Sequence, residues 1–511
     1  MDSRSFNAKR NSFWGIINKM VMMIFPFCIR AATIYFVGVK YLGISSLFTS
    51  ILHFLNVAEL GIGNAIVYSM YKPVADNNKE QICALLGFYK TVYRIIGLLI
   101  FVLGLCLIPF LPMLIKTELA GGLNVYVLYI MYLFNSAVSY WLFSYRKCLL
   151  HAHQREDVLS KMHMIMHILL NVLQLFILVA FKNYYIFVLV LPVTTICQNL
   201  ITGYITAKMF PEYKPVGKLK KEEINEIKKQ VVGLSAMRIA TISRDSLDSV
   251  VVSAFLGLTA VAMHSNYFYI LSAVASIMAV LTNSIAAGIG NSIAYDSIEK
   301  NYEDIRKLNM AYMSLAGVCA VGLVCLYQPF MKLWVGENMV LPNGIMALYV
   351  VYFYVARIPG IAGKYLDSAG LWWKGKWKCF IETGVNFVLN IVLGYKFGIA
   401  GIIAATIISA TVVNIPITFV IVFKNYFGKS CREFYKDHIV MLAANGIAVI
   451  GGFFLCRLLP EFDGTIGMLA GLCLCGIVAL GVWVIAALLL YGSYGEYRKS
   501  IHWLKVRLIK R

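Results

Sequence analysis

Apolar runs close to the thickness of a bilayer recur from one end of this chain to the other. "IINKMVMMIFPFCIRAATIYF", "GLLIFVLGLCLIPFL" and "GLCLCGIVALGVWVIAALLL" are three of them. A helix needs roughly 20 apolar residues to cross the hydrocarbon core. Water is absent there, so backbone polar groups must pair within the segment, and each run is expected to be a helix. Strand-like alternation is not the dominant pattern. Composition agrees, with 60% hydrophobic residues, 14% charged residues and a mean hydropathy of +0.74. Soluble domains carry about 25% charged residues. The expected class is an all-α, polytopic integral membrane protein.

Fourteen spans are expected, near 16–37, 44–70, 91–113, 124–145, 162–181, 184–207, 230–255, 261–290, 308–331, 340–362, 379–396, 398–423, 438–459 and 465–491. The first is not expected to be a cleaved leader, because it carries Lys19 and Arg30 and lacks a small-residue cleavage site. An even number puts both termini on one side. The segments on that side hold 34 of the 46 basic residues. The opposite turns hold only Lys40, Lys116, Lys182, Lys332, Lys396 and Arg457. Basic residues favour the cytoplasmic face, so both termini are expected in the cytoplasm. The net charge of +21 then forms a rim facing anionic lipid rather than a nucleic-acid surface. "KLKKEEINEIKK" mixes both signs at helical spacing and marks a linker helix over 216–229. It separates an N-terminal lobe, 1–215 with spans one to six, from a C-terminal lobe, 230–425 with spans seven to twelve. Residues 426–511 add two spans and a basic tail.

The twelve Cys show no CxxC, and a packing role is expected for them. His163 and His167 share a helix face without an acid or Cys beside them, so no metal centre is expected; His151 and His153 are expected to be surface-exposed. The charges inside spans are more informative. They are Lys19, Arg30, Arg94, Arg238, Arg244 and Arg357, against Glu59, Asp245, Asp248 and Glu382. Each costs at least ~2.5–3.5 kcal/mol at mid-helix unless it meets a partner or a wet cavity. Lys19, Arg94 and Glu382 lie near expected helix ends, where a long side chain can reach the interface. In "MRIATISRDSLDSVV", Arg244 and Asp248 share a face and can neutralise each other. The stripe Arg238, Thr241, Asp245 and Asp248 must face the bundle interior. Net basic charge there suits an anionic substrate such as a phosphate. Glu59 can accept a proton or a cation, or pair with an arginine.

"YLGISSLFTSILHFLNVAELGIGNAI", "SAGLWWKGKWKCFIETGVN" and "NFVLNIVLGYKFGIAGIIAATIIS", with its FGIxG turn, resemble the polysaccharide repeat-unit flippases of the MOP exporter superfamily. The resemblance covers about residues 10 to 430. It implies two pseudo-symmetric six-helix lobes in a V, followed by two further helices. It implies transfer of an undecaprenyl-pyrophosphate-linked oligosaccharide to the outer leaflet by alternating access, with Na⁺ or H⁺ exchange as the driving step and no cofactor. Arg30 and Arg244 would stand in the cavity, with Arg238, Arg357 and Arg94 as further cavity cations. Glu59, Asp245 and Asp248 would be coupling sites. The protein would work as a monomer, in contact with membrane lipid and other polysaccharide-assembly proteins. Two rivals remain. A MATE-type drug exporter favours an acidic cavity, whereas here the in-span bases outnumber the acids. A membrane polymerase or glycosyltransferase needs a long outward loop bearing catalytic residues, which this chain lacks, so it is not expected to be an enzyme.

A repeat is also visible. "GIGNAI" at Gly61–Ile66 returns as "GIGNSI" at Gly288–Ile293, an offset of 227. A second register of 214 aligns Arg30 with Arg244 and Leu42–Gly43 with Leu256–Gly257. Both cannot mark one duplication, and the second is expected because it aligns a buried charge together with a turn.

Overall fold

The computed structural model describes residues 2–59, 62–115, 123–460 and 464–500, less 493, 496 and 499. For 2–9, 12, 57–58, 64, 229–230, 232–246, 284, 287, 372–373, 376 and 490–491 it describes the backbone alone. Among the described residues there are helices and no strand. In chain order these are α1 (Asp2–Phe36), α2 (Val39–Leu55), α3 (Ile62–Ala75), α4 (Lys79–Cys106), α5 (Leu111–Leu114), α6 (Val125–Val138), α7 (Lys147–Ala152), α8 (Glu156–Ala180) and α9 (Tyr184–Met209). Then follow α10 (Lys221–Leu256), α11 (Leu258–Tyr295), α12 (Ile298–Val335), α13 (Asn343–Arg357), α14 (Gly360–Ser368), α15 (Trp372–Ser409), α16 (Ile415–Val422), α17 (Arg432–Arg457) and α18 (Gly464–Ala486). Ten helical stretches are long and apolar enough to cross a membrane. The chain is a multi-pass membrane protein. One stretch, Trp377–Phe427, holds two of the expected spans. The expected second, fourth and seventh spans fall on the broken pair α2 and α3, on the short α6, and on α10.

The break inside α15 is the FGIxG turn. Gly398 takes φ 60°, a left-handed conformation that glycine adopts without penalty. A Cβ on Gly401 would stand 1.9 Å from the Leu393 carbonyl oxygen, so this turn closes only on glycine.

The chain divides into two compact units, Met1–Ala262 and Met263–Arg511. In the first, α1 runs along α8, α9 packs on α6 and α8, and α10 packs on α2 and α3. In the second, α12 is central and touches α13, α17 and α18. The stretch 216–229, read from sequence as a separate linker helix, leads into α10 and supplies its first turns; α10 runs on without a break to Leu256. The division by contact falls later than 216–229 because α10 stays against α2 in the first unit.

Backbone punctuation repeats between the units. Gly38 (φ 107°) joins α1 to α2, and Gly257 (φ 81°) joins α10 to α11. Asn78 caps α4 through the Gln81 amide, and Ser297 caps α12 through the Lys300 amide. Both pairs are 219 residues apart. Further along, left-handed Gln154 and Gly370 are 216 apart, as are Lys182 and Gly398. The punctuation recurs at offsets of 219 and 216, and neither 214 nor 227 reproduces it. The 214 register matched Gly43 with Gly257, and these do different jobs. Gly257 is a joint, whereas Gly43 lies inside α2, where a Cβ would sit 2.0 Å from the Leu258 carbonyl oxygen. Arg30 and Arg244 do not occupy equivalent positions.

Each unit also carries a buried carboxylate held by arginine. Asp157, 2% exposed, meets Arg10 at 3.1 Å and Arg155 at 3.0 Å, and its backbone N–H donates to the Asn11 side chain. These contacts fasten the start of α1 to the start of α8. In the second unit Arg306 grips Asp437 with two hydrogen bonds, 2.7 and 2.8 Å long, and the Tyr494 hydroxyl donates to the same carboxylate at 2.6 Å. That clamp ties α12 to α17 and to the segment after α18.

Asp437→Ala should lower stability by about 3–5 kcal/mol, because it removes the buried carboxylate on which Arg306 and Tyr494 converge. Gly43→Ala should lower it by about 1–3 kcal/mol through overpacking against Leu258. Gly288→Ala faces open space and should be neutral or slightly stabilising. Thermal unfolding in detergent, followed by intrinsic fluorescence, checks all three.

Candidate functional site

The acid that the sequence placed in the second span lies where that span breaks. Glu59 closes a short 3-10 turn, Asn56–Glu59, between α2 and α3. The Ser136 hydroxyl donates to the Asn56 side chain at 3.1 Å and fixes the turn from α6. Two tyrosines then take the carboxylate between them. Tyr93 on α4 donates its hydroxyl to one oxygen, and Tyr140, just after α6, donates to the other at 2.9 Å. Hydrogen bonds to an ionised group are the strong ones, about 1.5–3 kcal/mol each. Tyr89, one turn before Tyr93, packs edge-on against it with ring centroids 4.2 Å apart, and Tyr140 follows at 5.5 Å.

A cavity of about 430 Å³ opens beside Glu59, walled by Tyr71, Tyr89, Lys147, His151 and Glu156. Lys147, at the start of α7, feels the Glu59 charge. Burial pushes its ammonium below the usual lysine range, and Glu59 acts in the opposite direction. His151 and Glu156 bond to each other at the rim. Gly63, the second glycine of GIGNAI, forms part of the wall. A Cβ there would lie 3.0 Å from the Tyr89 hydroxyl and 4.0 Å from a Glu59 oxygen. The matching Gly290 of GIGNSI has nothing within 4 Å. The two hexapeptides are alike in sequence, and only the first shapes a site.

The other expected residues are dispersed. Arg94 is exposed and turned away from the cavity that Tyr93, its neighbour, lines. Lys19 is exposed too. Arg30 is half-buried on α1 and is not free of partners. Asp248 is half-buried on α10 and likewise engaged. The side chains of Arg238, Thr241, Arg244 and Asp245 lie outside the described residues. Glu382 is not at a wet helix end. It is 5% exposed and accepts from Asn414, at 3.1 Å, within the π-helical stretch Ala410–Asn414. Thr418 donates to Asn414, and Lys378 donates to Thr418 at 3.0 Å, extending the chain of contacts. His153 is not simply exposed, since its ring stacks on Phe210 at 4.4 Å. Among the described residues no three His, Cys, Asp or Glu gather as metal ligands, and no cysteine is in a disulfide.

Arg357 ends α13 in the second unit. Its guanidinium lies near Tyr312 on α12 and 5.7 Å from the Phe353 ring, and its Nε is buried without a hydrogen-bond partner. The Tyr312 ring presses on Gly360, where a Cβ would stand 2.6 Å away. One helix on, Lys364 donates to Asn283 at 2.8 Å. The backbone repeat gives these residues meaning. A step of 219 carries Tyr93 to Tyr312 and Glu59 to Met278. Between the 218 step from Asn124 to Pro342, which precede α6 and α13, and the 216 step from Gln154 to Gly370, Tyr140 falls at Arg357. The first unit therefore has an acid between two tyrosines. The second has methionine at the acid's position and arginine at one tyrosine's. Sequence reading missed both tyrosine sets. The signal for the first was Tyr89 and Tyr93, four apart on one face of an apolar helix.

A double-mutant cycle tests the acid site. Glu59→Gln with Tyr140→Phe should show a coupling of about 1–2 kcal/mol in unfolding free energy. Glu59→Gln with Arg94→Gln should be additive.

The sequence matches no known family profile and no curated protein. Solved structures do resemble it. The structure titled "Lipid II flippase MurJ, inward closed conformation" has a TM-score of 0.66 at 14% identity, covering 94% of this chain and 98% of that one. An inward-facing multidrug resistance MATE family transporter of the MOP superfamily scores 0.60 at 13% identity, covering 84% and 98%. A point mutant of the Vibrio cholerae MATE transporter VcmN scores 0.56 at 14% identity, covering 85% and 99%. At these identities the likeness is one of fold, and the chain has the fold that a lipid flippase and MATE transporters share.

Proposed function

We propose that this chain carries an undecaprenyl-pyrophosphate-linked oligosaccharide from the cytoplasmic to the outer leaflet of a bacterial inner membrane. The observation that carries the proposal is Arg357. A guanidinium with a buried, unsatisfied Nε stands near Tyr312, at the position where the other unit holds a tyrosine over a carboxylate. A fixed cation next to a hydroxyl is a phosphate-recognition pair. Lys364 adds a second cation, one helix further along. A pyrophosphate cannot cross hydrocarbon unaided, and cations lower the cost of moving it. The solved lipid II flippase, similar over 94% of this chain, supports a lipid-linked cargo. The positive-inside pattern supports cytoplasmic termini. Glu59, held by Tyr93 and Tyr140, is the coupling carboxylate of the proposal, exchanging H⁺ or Na⁺ while two lobes alternate in access. Arg30, Arg238, Arg244, Asp245 and Asp248 remain candidates along the same route. No cofactor is required, and a monomer suffices.

A second reading has its own observation. The Glu59 cavity is acidic and walled by Tyr71 and Tyr89, which suits an organic cation. That points to drug export, as in the MATE transporters. Lys147 in the same wall opposes it.

Transfer of a fluorescent lipid-linked oligosaccharide in reconstituted vesicles separates the two. Arg357→Gln should slow transfer at least about tenfold, an effect of roughly 1.4 kcal/mol or more on the barrier, and Arg357→Lys should recover part of the rate. Unchanged transfer in Arg357→Gln, or efficient export of ethidium without lipid transfer, would overturn the flippase reading.

A further inference from the structure

By the basic-loop pattern Lys147 is one more base in a cytoplasmic loop. The fold gives it another place. It begins α7 and stands in the wall of the same cavity of about 430 Å³ as Glu59. α7 packs against α3, the helix that starts just beyond the Asn56–Glu59 turn. The two charges face each other across the cavity, and the ammonium feels the carboxylate. Glu156, the other acid of the wall, is bonded to His151 at the rim, which leaves Glu59 as the acid that Lys147 balances. α10 also packs against the Asn56–Glu59 turn. Its in-span charges, Arg238, Arg244, Asp245 and Asp248, sum to zero and do not alter that balance.

Ligand chemistry alone would admit a metal cation here. Hard cations take oxygen ligands. The wall supplies them in Glu59, Tyr140, Ser139 and Ser144. The cavity lacks a charge left to neutralise, because the protein brings its own monovalent cation. That cation is an ammonium on a flexible stem, with three N–H donors for the same oxygens. A sodium ion entering the cavity meets it in a space where water screens little. A proton is different. It binds to Glu59 itself and needs no set of ligands. The hydroxyls of Tyr93 and Tyr140 accept as well as donate, so either can take the new O–H.

The repeat adds an independent observation. The step of 217 that carries Tyr140 to Arg357 also carries Lys147 to Lys364. Lys364 crosses from α14 to α11, where it donates to Asn283 at 2.8 Å. A lysine at this station therefore reaches the helix that carries Met278, the counterpart of Glu59. Both units keep the cation, and the first sets an acid opposite it.

We infer that Lys147 is the resident cation of the Glu59 cavity and excludes Na⁺ from it, so that the ion exchanged there is a proton. The inference rests on Glu59 as the coupling carboxylate proposed above, and it names the ion and the residue that selects it.

Thermal unfolding of the purified full chain in sodium chloride and in choline chloride, at equal ionic strength, tests this. The wild type should unfold at the same temperature in both. Lys147→Met removes the resident cation, and its unfolding temperature should be at least about 2 °C higher in sodium. Adding Glu59→Gln should abolish that gain, and Lys147→Arg should exclude sodium as the wild type does. A sodium response in the wild type, none in a folded Lys147→Met, or one that survives Glu59→Gln overturns the assignment. Equilibrium binding of radioactive sodium to the wild type needs no variant, and saturable binding there overturns it as well. It keeps the test decisive if Lys147→Met does not fold. No lipid transfer at all in vesicles would count against the flippase reading, and the sodium measurements, which need no substrate, decide this one separately.

Discussion

A carboxylate folded away from water must find its partners in the protein, and in this fold each one shows where helices are held together. Asp157 draws in Arg10 and Arg155, so the start of α1 is fastened to α8. Asp437 draws in Arg306 and Tyr494, so the last helices are fastened to α12. Glu382 is met by Asn414 where α15 gives way to a π-helical stretch. Glu59 alone is met by two tyrosine hydroxyls beside an open cavity. Three of these acids fasten helices. The fourth has space beside it, and that difference makes it a functional candidate.

The helical class and the long apolar stretches were legible because both follow from segment hydrophobicity. The FGIxG turn was legible because only glycine serves at Gly398 and Gly401. The partners of the charges were not legible. Tyr93 and Tyr140 lie 34 and 81 residues from Glu59, and nothing local announces a tyrosine as a carboxylate's donor. Arg94 read as a cavity cation because it is charged and inside a span. One residue on from Tyr93, it lies on another face of α4, exposed and outside the Glu59 cavity. Glu382 read as near a wet end, because a π-helical break is invisible to hydropathy.

The repeat shows a similar limit. Residue identities suggested two registers, and backbone punctuation gave a third. Capping residues and left-handed joints sit where geometry requires them, so they keep position after a duplication. An arginine or a GIGN motif can recur for unrelated reasons. Gly63 walls a cavity while Gly290 meets nothing.

The equivalence of Glu59 with Met278 and of Tyr140 with Arg357 bears on how such folds diversify. The two units present the same few stations at matching positions along their helices. Two side-chain differences there give one copy an acid and the other a base, with no helix moved. The sign of the charge at each station is then set by a few side chains rather than by the architecture.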